Sequence, residues 1–342
     1  MIRASMHLGR FFLAGLLASL AGMALADPPT EEDLDHCSRI ENPDARLACY
    51  DKLMPRPPAR PGEPEQAEPE DVPSLLRDRW GADISDRDSR FDLRPHKANY
   101  VLFARYSDSP NTLPTSPTKL PLGTPLDIDR TEAKFQYSFK VKIADFDEMY
   151  PGAPPSALWV GYTQQSQWQV YNPGISRPFR ETNYEPELML VFFPDREFLG
   201  WHVRLTGLGL NHQSNGRSDP LSRSWNRVYA MVGIEQEHFA LIFRPWVRLN
   251  EDYRKDDNPD ITHYLGYGDI TAVYTYGEHT LSLLARYNPA SGKGALQAAW
   301  NFPLHRRVRG YVQWFTGYGE TLIDYNWRQN TIGIGLSLSD VL

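Results

Sequence analysis

From residue 96 to the C-terminus, apolar and polar residues alternate along the chain with a period of two. Successive side chains of a β-strand point to opposite faces of the sheet. The alternation therefore predicts strands with one apolar and one polar face. Twelve segments follow this pattern. The predicted strands are residues 96–107, 133–146, 156–168, 185–195, 199–212, 222–235, 237–250, 261–276, 278–289, 294–304, 306–317 and 330–341.

The connections between the predicted strands alternate in length. Odd-numbered strands are followed by longer loops, such as 108–132, 169–184 and 251–260, and even-numbered strands mostly by tight turns, such as Gly277. An even strand number with short turns at one rim and long loops at the other is typical of bacterial outer-membrane barrels. The sequence therefore predicts an all-β fold: a twelve-stranded antiparallel transmembrane β-barrel with periplasmic termini and a short N-terminal periplasmic extension.

The sixth predicted strand indicates which side of the sheet meets lipid. One face is aliphatic apart from its first residue, and the other is charged and aromatic. The first face consists of Asn226, Val228, Ala230, Val232 and Ile234, and the second of Arg223, Trp225, Arg227 and Tyr229. Because a charged side chain is costly against lipid, we expect the aliphatic face to point outward and the charged face to fill the interior.

The composition agrees with a barrel in a membrane. Average hydropathy is low, yet the chain carries 9 Trp, 18 Tyr and 15 Phe. A polar interior combined with aromatic girdles at both membrane surfaces produces such a composition, whereas an extracellular soluble β-sandwich is the alternative. The net charge of −7 and the absence of a basic patch in the sequence argue against a nucleic-acid partner.

The N-terminus reads as a secretory signal peptide of 26 residues. Arg3 and Arg10 supply the positive region, Phe11 to Leu20 the apolar core, and Ala24–Ala26 the small residues of a cleavage site. An uncleaved membrane anchor is the alternative. No later segment approaches the roughly 18–20 apolar residues of a spanning helix.

Cys37 and Cys49 are the two cysteines of the chain. Export places them in an oxidising compartment, where their spacing fits a small helical hairpin closed by one disulfide. The predicted segments are a signal peptide (1–26), a cysteine-pair segment with a Pro- and Glu-rich linker (27–74), a charged, partly ordered lead-in (75–95) and the barrel domain (96–342).

The segment 211–226 carries the candidate chemistry. Its centre is rich in Asn, Gly, Ser, Asp and Pro, which a hairpin loop requires. If the two flanking strands pair about Asp219, His212 lies opposite Asn226. Since residues i and i+2 of a strand share a face, Ser214 lies on the same side as His212. A nucleophile, a base and an orienting amide would then meet on one patch of the sheet.

The three side chains fall on the aliphatic, lipid-facing row. A His-x-Ser sequence by itself is most often a polar turn, but a histidine on that row has lost hydration and needs a partner. The Asn226 oxygen can set the tautomer of His212, which leaves the other ring nitrogen to accept the Ser214 proton. A neutral amide stabilises an imidazolium less than a carboxylate does. We therefore expect a further electrostatic element, such as a bound cation.

Four segments of the chain resemble the outer-membrane phospholipase A family. They are residues 180–186, 211–226, 256–261 and 317–326, and the resemblance covers roughly residues 95–342. It implies a twelve-stranded barrel and calcium-dependent hydrolysis of phospholipid acyl esters. It also implies that Ser214 is the nucleophile, His212 the base and Asn226 the orienting residue, with the Gly216 N–H as oxyanion donor.

The same resemblance implies a calcium ligand set and a dimer. Calcium would be held by the hydroxyl of Ser222, the carbonyl of Arg217, and the carbonyl of Ser176 of the partner subunit. Two further residues, Asp219 and Asp257, match positions that the family links to a second calcium site. Gln164 matches a polar residue buried between the subunits of the family's dimer.

We therefore expect a multi-pass enzyme of the bacterial outer membrane whose active site lies near the outer leaflet. Its substrate would be membrane phospholipid, its cofactor calcium, and its active state a homodimer surrounded by outer-membrane lipid. A catalytically silent barrel of the porin or adhesin type is the first alternative, and a soluble secreted esterase is the second.

Overall fold

The computed structural model describes residues 30–40, 42–53, 74–81, 90–146, 149–305 and 308–339. The chain divides into two compact units, residues 1–69 and 70–342. The predicted signal peptide and nearly all of the predicted Pro- and Glu-rich linker lie outside the described residues. No helix of the described ranges is long and apolar enough to cross a membrane.

The first unit contains helix α1 (Glu31–Ser38) and helix α2 (Pro43–Leu53). Cys37 and Cys49 form a disulfide between them, with a Cα–Cα distance of 5.6 Å. The predicted helical hairpin closed by one disulfide is therefore confirmed.

The second unit is built almost entirely of β-strands. Its strands are β1 (Leu93–Pro95), β2 (Asn99–Ser107), β3 (Thr131–Phe146), β4 (Ser156–Trp168), β5 (Glu181–Phe192), β6 (Arg196–Phe198), β7 (Trp201–Ser214), β8 (Ser224–Gln236), β9 (Phe239–Leu249), β10 (Gly268–Tyr276), β11 (His279–Asn288), β12 (Lys293–His305), β13 (Val308–Tyr318) and β14 (Arg328–Ser339). Within the described part of this unit, two short helices accompany the strands, α3 (Leu75–Trp80) and α4 (Ile261–Leu265).

Twelve of these strands form one closed antiparallel barrel, as the sequence predicted. Neighbours along the chain pair with each other from β2 to β5 and from β7 to β14, and β5 pairs with β7. β14 pairs with β2, which closes the ring. The three-residue strands β1 and β6 lie outside this ring, paired with β3 and β7.

One predicted strand began too early. Residues 261–276 were expected to be extended, but residues 261–265 form α4 and β10 starts at Gly268. Ile261 and Leu265 are both buried, and their spacing of four places them on one face of a helical turn. Over so short a run, an apolar pattern cannot separate a helical turn from a strand.

The two faces of the barrel wall are as predicted. On β7, Leu208 and Leu210 are exposed, as are Val228 and Val232 on β8. Tyr229, on the other face of β8, is buried. The row that contains His212, Ser214 and Asn226 therefore belongs to the outer wall.

The interior of the barrel is filled by buried charged side chains. Arg105 Nη1 lies 2.8 Å from Glu132 Oε1, and Lys134 Nζ lies 3.0 Å from Glu320 Oε1. Such pairs satisfy charges that would otherwise be costly to bury. A cavity of about 240 Å³ remains inside the barrel, and Glu185, Arg227 and Glu320 are among the residues that line it. This filled interior differs from the wide lumen that the porin-like alternative requires.

Helix α3 lies inside the end of the barrel that carries the short turns. Ser74 Oγ and the backbone N–H of Leu76 donate to the carboxylate of Glu235, at 2.5 and 3.0 Å. Trp80 is buried and packs edge-on against Trp159, with ring centroids 6.0 Å apart. The prediction of a partly ordered lead-in over 75–95 thus missed a docked helix. Ser74 caps that helix by accepting the N–H of Arg77.

Candidate active site

The β7–β8 hairpin has the register that the sequence predicted. His212 pairs with Asn226, and Ser214 pairs with Ser224. On β7, His212 and Ser214 have the parity of the exposed Leu208 and Leu210. On β8, Asn226 has the parity of the exposed Val228. The hairpin therefore presents His212, Ser214 and Asn226 on the outer wall, next to aliphatic side chains. Because its turn is one of the long loops, the site lies at the rim opposite helix α3.

His212 and Asn226 form a direct hydrogen bond. Nδ1 of His212 lies 2.8 Å from Oδ1 of Asn226, and Nδ2 of Asn226 donates to Oε1 of Glu251 at 3.1 Å. A carboxylate can only accept, so the amide must turn its NH₂ group toward Glu251 and its oxygen toward His212. The ring then donates through Nδ1, and Nε2 is left as an acceptor that can serve as a general base.

Ser214 follows His212 on the same face of β7. Among the described residues, no hydrogen bond joins the Ser214 hydroxyl to the imidazole. A serine hydroxyl rotates about one torsion, and catalytic hydrogen bonds often tighten only when substrate is bound. The structure thus forms the base–amide pair and presents the serine beside it.

The β7–β8 turn is organised by a buried asparagine, Asn215. Its Nδ2 donates to the carbonyl of Leu221 at 2.8 Å, and its Oδ1 accepts the backbone N–H of Arg223 at 2.9 Å. The next residue, Gly216, has φ +62°. A Cβ there would lie 3.1 Å from the Tyr184 ring. Glycine is therefore favoured at this position by both the left-handed backbone and the close aromatic ring.

Several side chains with oxygen atoms cluster around residues 219–222 of the turn. Ser222 Oγ donates to Asp257 Oδ2 at 2.5 Å. The ammonium of Lys119, which comes from the loop between β2 and β3, lies 2.6 Å from Asp219 and 2.8 Å from Asp257. The hydrogen bonds that it donates to Asp219 and Asp257 raise the pKa of Lys119 above its ordinary value. Three predicted calcium-site residues are thus neighbours, together with a cation of the protein.

The other residues assigned by the resemblance lie apart from this cluster or on its edge. Arg217 is in the turn and donates to the carbonyl of Arg180. Ser176 is in the loop after β4, where its carbonyl accepts the Trp168 Nε1–H at 2.7 Å. No hydrogen bond of the described residues joins Ser176 to the β7–β8 turn. Gln164 has the outward parity of the exposed Val160 on β4.

The sequence reasoning missed Lys119, Asn215 and Glu251. Glu251 could have been found from strand parity, because Asn226 pairs with Leu249 and residue 251 has the same parity. Asn215 carries no signal beyond its type, since asparagine is common in turns. Lys119 lies a hundred residues before Asp219, on a loop whose path no periodicity predicts.

Comparison with known proteins identifies relatives of this chain. The model of the phospholipase A1 family matches residues 76–338. A putative phospholipase A1 of Neisseria meningitidis serogroup B is 37% identical, and the match covers 95% of each chain. The phospholipase A1 of Escherichia coli K12 is 38% identical, over 75% of this chain and 85% of its own length. The Neisseria match therefore extends beyond the barrel into the N-terminal unit.

Solved structures are similar over the barrel. Outer membrane phospholipase A from Escherichia coli is 36% identical with a TM-score of 0.64, and the match covers 73% of this chain and 95% of that one. A Salmonella typhi outer membrane phospholipase, described as a dimer with bound calcium, is 38% identical with a TM-score of 0.65. That match covers 74% of this chain and 94% of the Salmonella chain.

Proposed function

This chain belongs to the phospholipase A1 family of outer-membrane β-barrels, and we propose that it cleaves phospholipid acyl esters with a triad of Ser214, His212 and Asn226. It is an ester hydrolase of the outer membrane. The hydrogen bond of 2.8 Å between His212 and Asn226 carries the proposal, because it lies on a lipid-facing row of exposed aliphatic residues. A site built there meets the acyl chains of membrane lipid directly.

The reaction proceeds through an acyl-enzyme. The Ser214 oxygen attacks the ester carbonyl carbon while His212 Nε2 accepts the hydroxyl proton. The tetrahedral intermediate collapses, the bond to the glycerol oxygen breaks, and the imidazolium returns its proton to that leaving oxygen. A water molecule, activated by His212, then attacks the acyl-enzyme, and the fatty acid and free Ser214 are released.

Developing negative charge on the carbonyl oxygen needs donors at a fixed position. The N–H of Gly216, two residues beyond the nucleophile, is our candidate donor. The backbone N–H of Arg217 donates to Asn215 Oδ1 at 3.3 Å, which ties together the two residues that flank Gly216. A donor held before the reaction begins needs no rearrangement in the transition state, which is why backbone N–H groups serve well here.

Calcium fits the donors around the turn. We assign it to the hydroxyl of Ser222, the carbonyl of Arg217 and the carbonyl of Ser176 of the partner subunit, all of them hard oxygen ligands. The Ser222 hydroxyl donates its proton to Asp257 at 2.5 Å, which leaves the lone pairs of its oxygen for the ion. When bound, calcium would supply positive charge that stabilises the oxyanion. The ligand from the partner makes activity depend on a homodimer.

The decisive experiment compares the wild-type protein with Ser214→Ala in mixed detergent–phospholipid micelles, with calcium and with a chelator. We expect Ser214→Ala to lower hydrolysis by roughly three orders of magnitude or more, and the chelator to abolish wild-type activity. Ser218→Ala is the matched control, because Ser218 is an exposed serine of the same turn. Full calcium-dependent activity of Ser214→Ala would rule the mechanism out, and inactivity of the wild type would favour the catalytically silent alternative.

A further inference from the structure

A lysine occupies the position between the two carboxylates that the family resemblance links to a second calcium site. Lys119 Nζ contacts Asp219 Oδ1 at 2.6 Å and Asp257 Oδ1 at 2.8 Å. The Lys119 and Asp257 side chains are 14% and 13% exposed, whereas that of Asp219 is 70% exposed. The ammonium is therefore largely shielded on the Asp257 side and open to solvent on the Asp219 side.

The loop that carries Lys119 is fixed to the loop that carries Asp257. Thr118 Oγ1 donates to the carbonyl of Asp256 at 2.5 Å. The carboxylate of Asp256 is buried and accepts two bonds from Arg248 Nη2, at 2.6 and 2.7 Å. The Lys119 contact is thus one of two adjacent attachments between the loops, and its position does not depend on a single exposed ion pair.

We propose that Lys119 is the resident cation of the Asp219–Asp257 pair, so that calcium can bind these carboxylates only when Lys119 leaves them. The ammonium donates to both acids and neutralises one of their two charges. A calcium ion at the same place would lie against a fixed positive charge, which opposes its binding. The inference rests on the proposed function, because the resemblance to that family assigns the pair to calcium.

If Lys119 occupies the pair, this rim of the barrel offers calcium one site rather than the two that the resemblance implies. The site at Ser222 and Arg217 remains for calcium, whereas the Asp219–Asp257 pair is already satisfied. Lys119 also keeps Asp257 in place as the acceptor of the Ser222 hydroxyl. The protein would thus hold the loop geometry at calcium concentrations too low to fill a second site.

Calcium binding can be measured separately from hydrolysis by titration calorimetry on the full-length Ser214→Ala protein in detergent micelles. In that background we expect Lys119→Met to add a class of calcium sites, or to tighten the apparent affinity at least about tenfold. Lys119→Arg, which keeps the charge, should behave as the parent. Lys255→Met, which removes an exposed charge two residues before Asp257, should also leave the titration unchanged.

Two results would overturn the proposal. The first is a Lys119→Met titration identical to the parent in stoichiometry and affinity. The second needs no lysine variant: Asp219→Asn in the parent should leave calcium stoichiometry unchanged, and loss of one calcium would mean that the pair already binds the ion. Neither result depends on hydrolysis. A failure here is therefore distinct from a failure of the Ser214 assay.

A second inference rests on the carboxylate beside Asn226. Glu251 Oε1 accepts the Asn226 Nδ2–H at 3.1 Å, and Asn226 Oδ1 lies 2.8 Å from His212 Nδ1. We infer that Glu251 is a positioning residue that fixes the amide in the orientation His212 requires. Its negative charge also polarises the amide, which strengthens the acceptor that a growing imidazolium charge needs.

The test is a double-mutant cycle in the micelle assay. We expect Glu251→Ala to lower kcat about fivefold with little change in KM, a modest effect because the contact is exposed. Glu251→Gln, which keeps an acceptor, should lose less. Asp252→Asn is the control, since this neighbouring acid bonds to the N–H of Arg254 instead.

The cycle separates positioning from a general structural effect. If Glu251 acts through Asn226, Glu251→Ala should have no further effect on kcat in an Asn226→Ala background. An equal loss in both backgrounds would overturn the inference. So would an Asp252→Asn loss as large as that of Glu251→Ala.

Discussion

The backbone conformation of Gly216 bears directly on its proposed role as the oxyanion donor. Its left-handed backbone turns the chain two residues after Ser214, the proposed nucleophile. The ring of Tyr184 closes the space that a side chain would need. The turn therefore favours a residue without a side chain at the position of the proposed oxyanion donor.

We predict that Gly216→Ala lowers kcat at least about tenfold while the protein still folds. A left-handed alanine costs about 1–2 kcal/mol, and relief of that strain moves the N–H away from the oxyanion. Gly277→Ala is the matched control, because Gly277 has φ +55° and open space around it, in a turn at the opposite rim. Steady-state kinetics and thermal unfolding of both variants check this. Unchanged kcat in Gly216→Ala would contradict the assignment.

Single residues of the site could be predicted where strand pairing determines their position. The opposition of His212 and Asn226 follows from the alternating pattern and the turn composition, and the observed register agrees. Glu251 lies just past the end of β9 and follows from strand parity, whereas Lys119 could not be predicted in the same way, because it comes from a loop. A loop's path depends on contacts such as Thr118 to Asp256, which leave no periodic trace in the sequence.

Among the elements, helix α3 was not predicted from the sequence, which indicated only a partly ordered lead-in over residues 75–95. It closes the short-turn end of the barrel by burying Leu76 and Trp80. The ammonium of Lys140 lies 3.2 Å from the Trp80 ring centroid, so that ring supplies a cation–π contact inside the barrel. The barrel strands were predicted well because each repeats its pattern over nine or more residues. A six-residue helix gives too short a pattern to recognise.

We predict that Trp80→Ala destabilises the barrel by about 3–5 kcal/mol, the usual cost of truncating a buried aromatic residue. The substitution also removes the aromatic face that Lys140 contacts. Phe198→Ala is the control, because Phe198 is an aromatic residue of β6 that is 71% exposed. Urea unfolding midpoints in detergent give the measurement. Equal midpoints for the two variants would mean that α3 is not part of the stable barrel.

In the whole molecule, the two rims and the two faces of the barrel wall carry different structural features. Helix α3 lies at the short-turn rim, and the proposed triad and the oxygen-rich cluster around Ser222 lie at the long-loop rim. The interior carries ion pairs such as Arg105 with Glu132, which make the barrel a rigid support. The proposed catalytic site therefore lies on the outside of the barrel, where lipid is the solvent.

We predict that calcium promotes a homodimer and that activity follows dimer formation. The physical reason is the ligand proposed from Ser176 of the partner subunit. We also propose that Gln164, on the outer wall, is a polar contact between subunits. Chemical cross-linking in micelles, with calcium and with a chelator, measures the dimer, and Gln164→Ala should lower its yield. Activity strictly proportional to protein at every dilution, with no calcium-dependent cross-linking, would contradict this.

The most direct test of the account is to locate the covalent intermediate. A long-chain alkyl sulfonyl fluoride should modify the wild-type protein in micelles, and peptide mass spectrometry should find the adduct on Ser214. The adduct should be absent from Ser214→Ala and strongly reduced in His212→Ala, because the base activates the hydroxyl. An active enzyme whose adduct maps to any other residue would contradict a nucleophile on the lipid-facing wall.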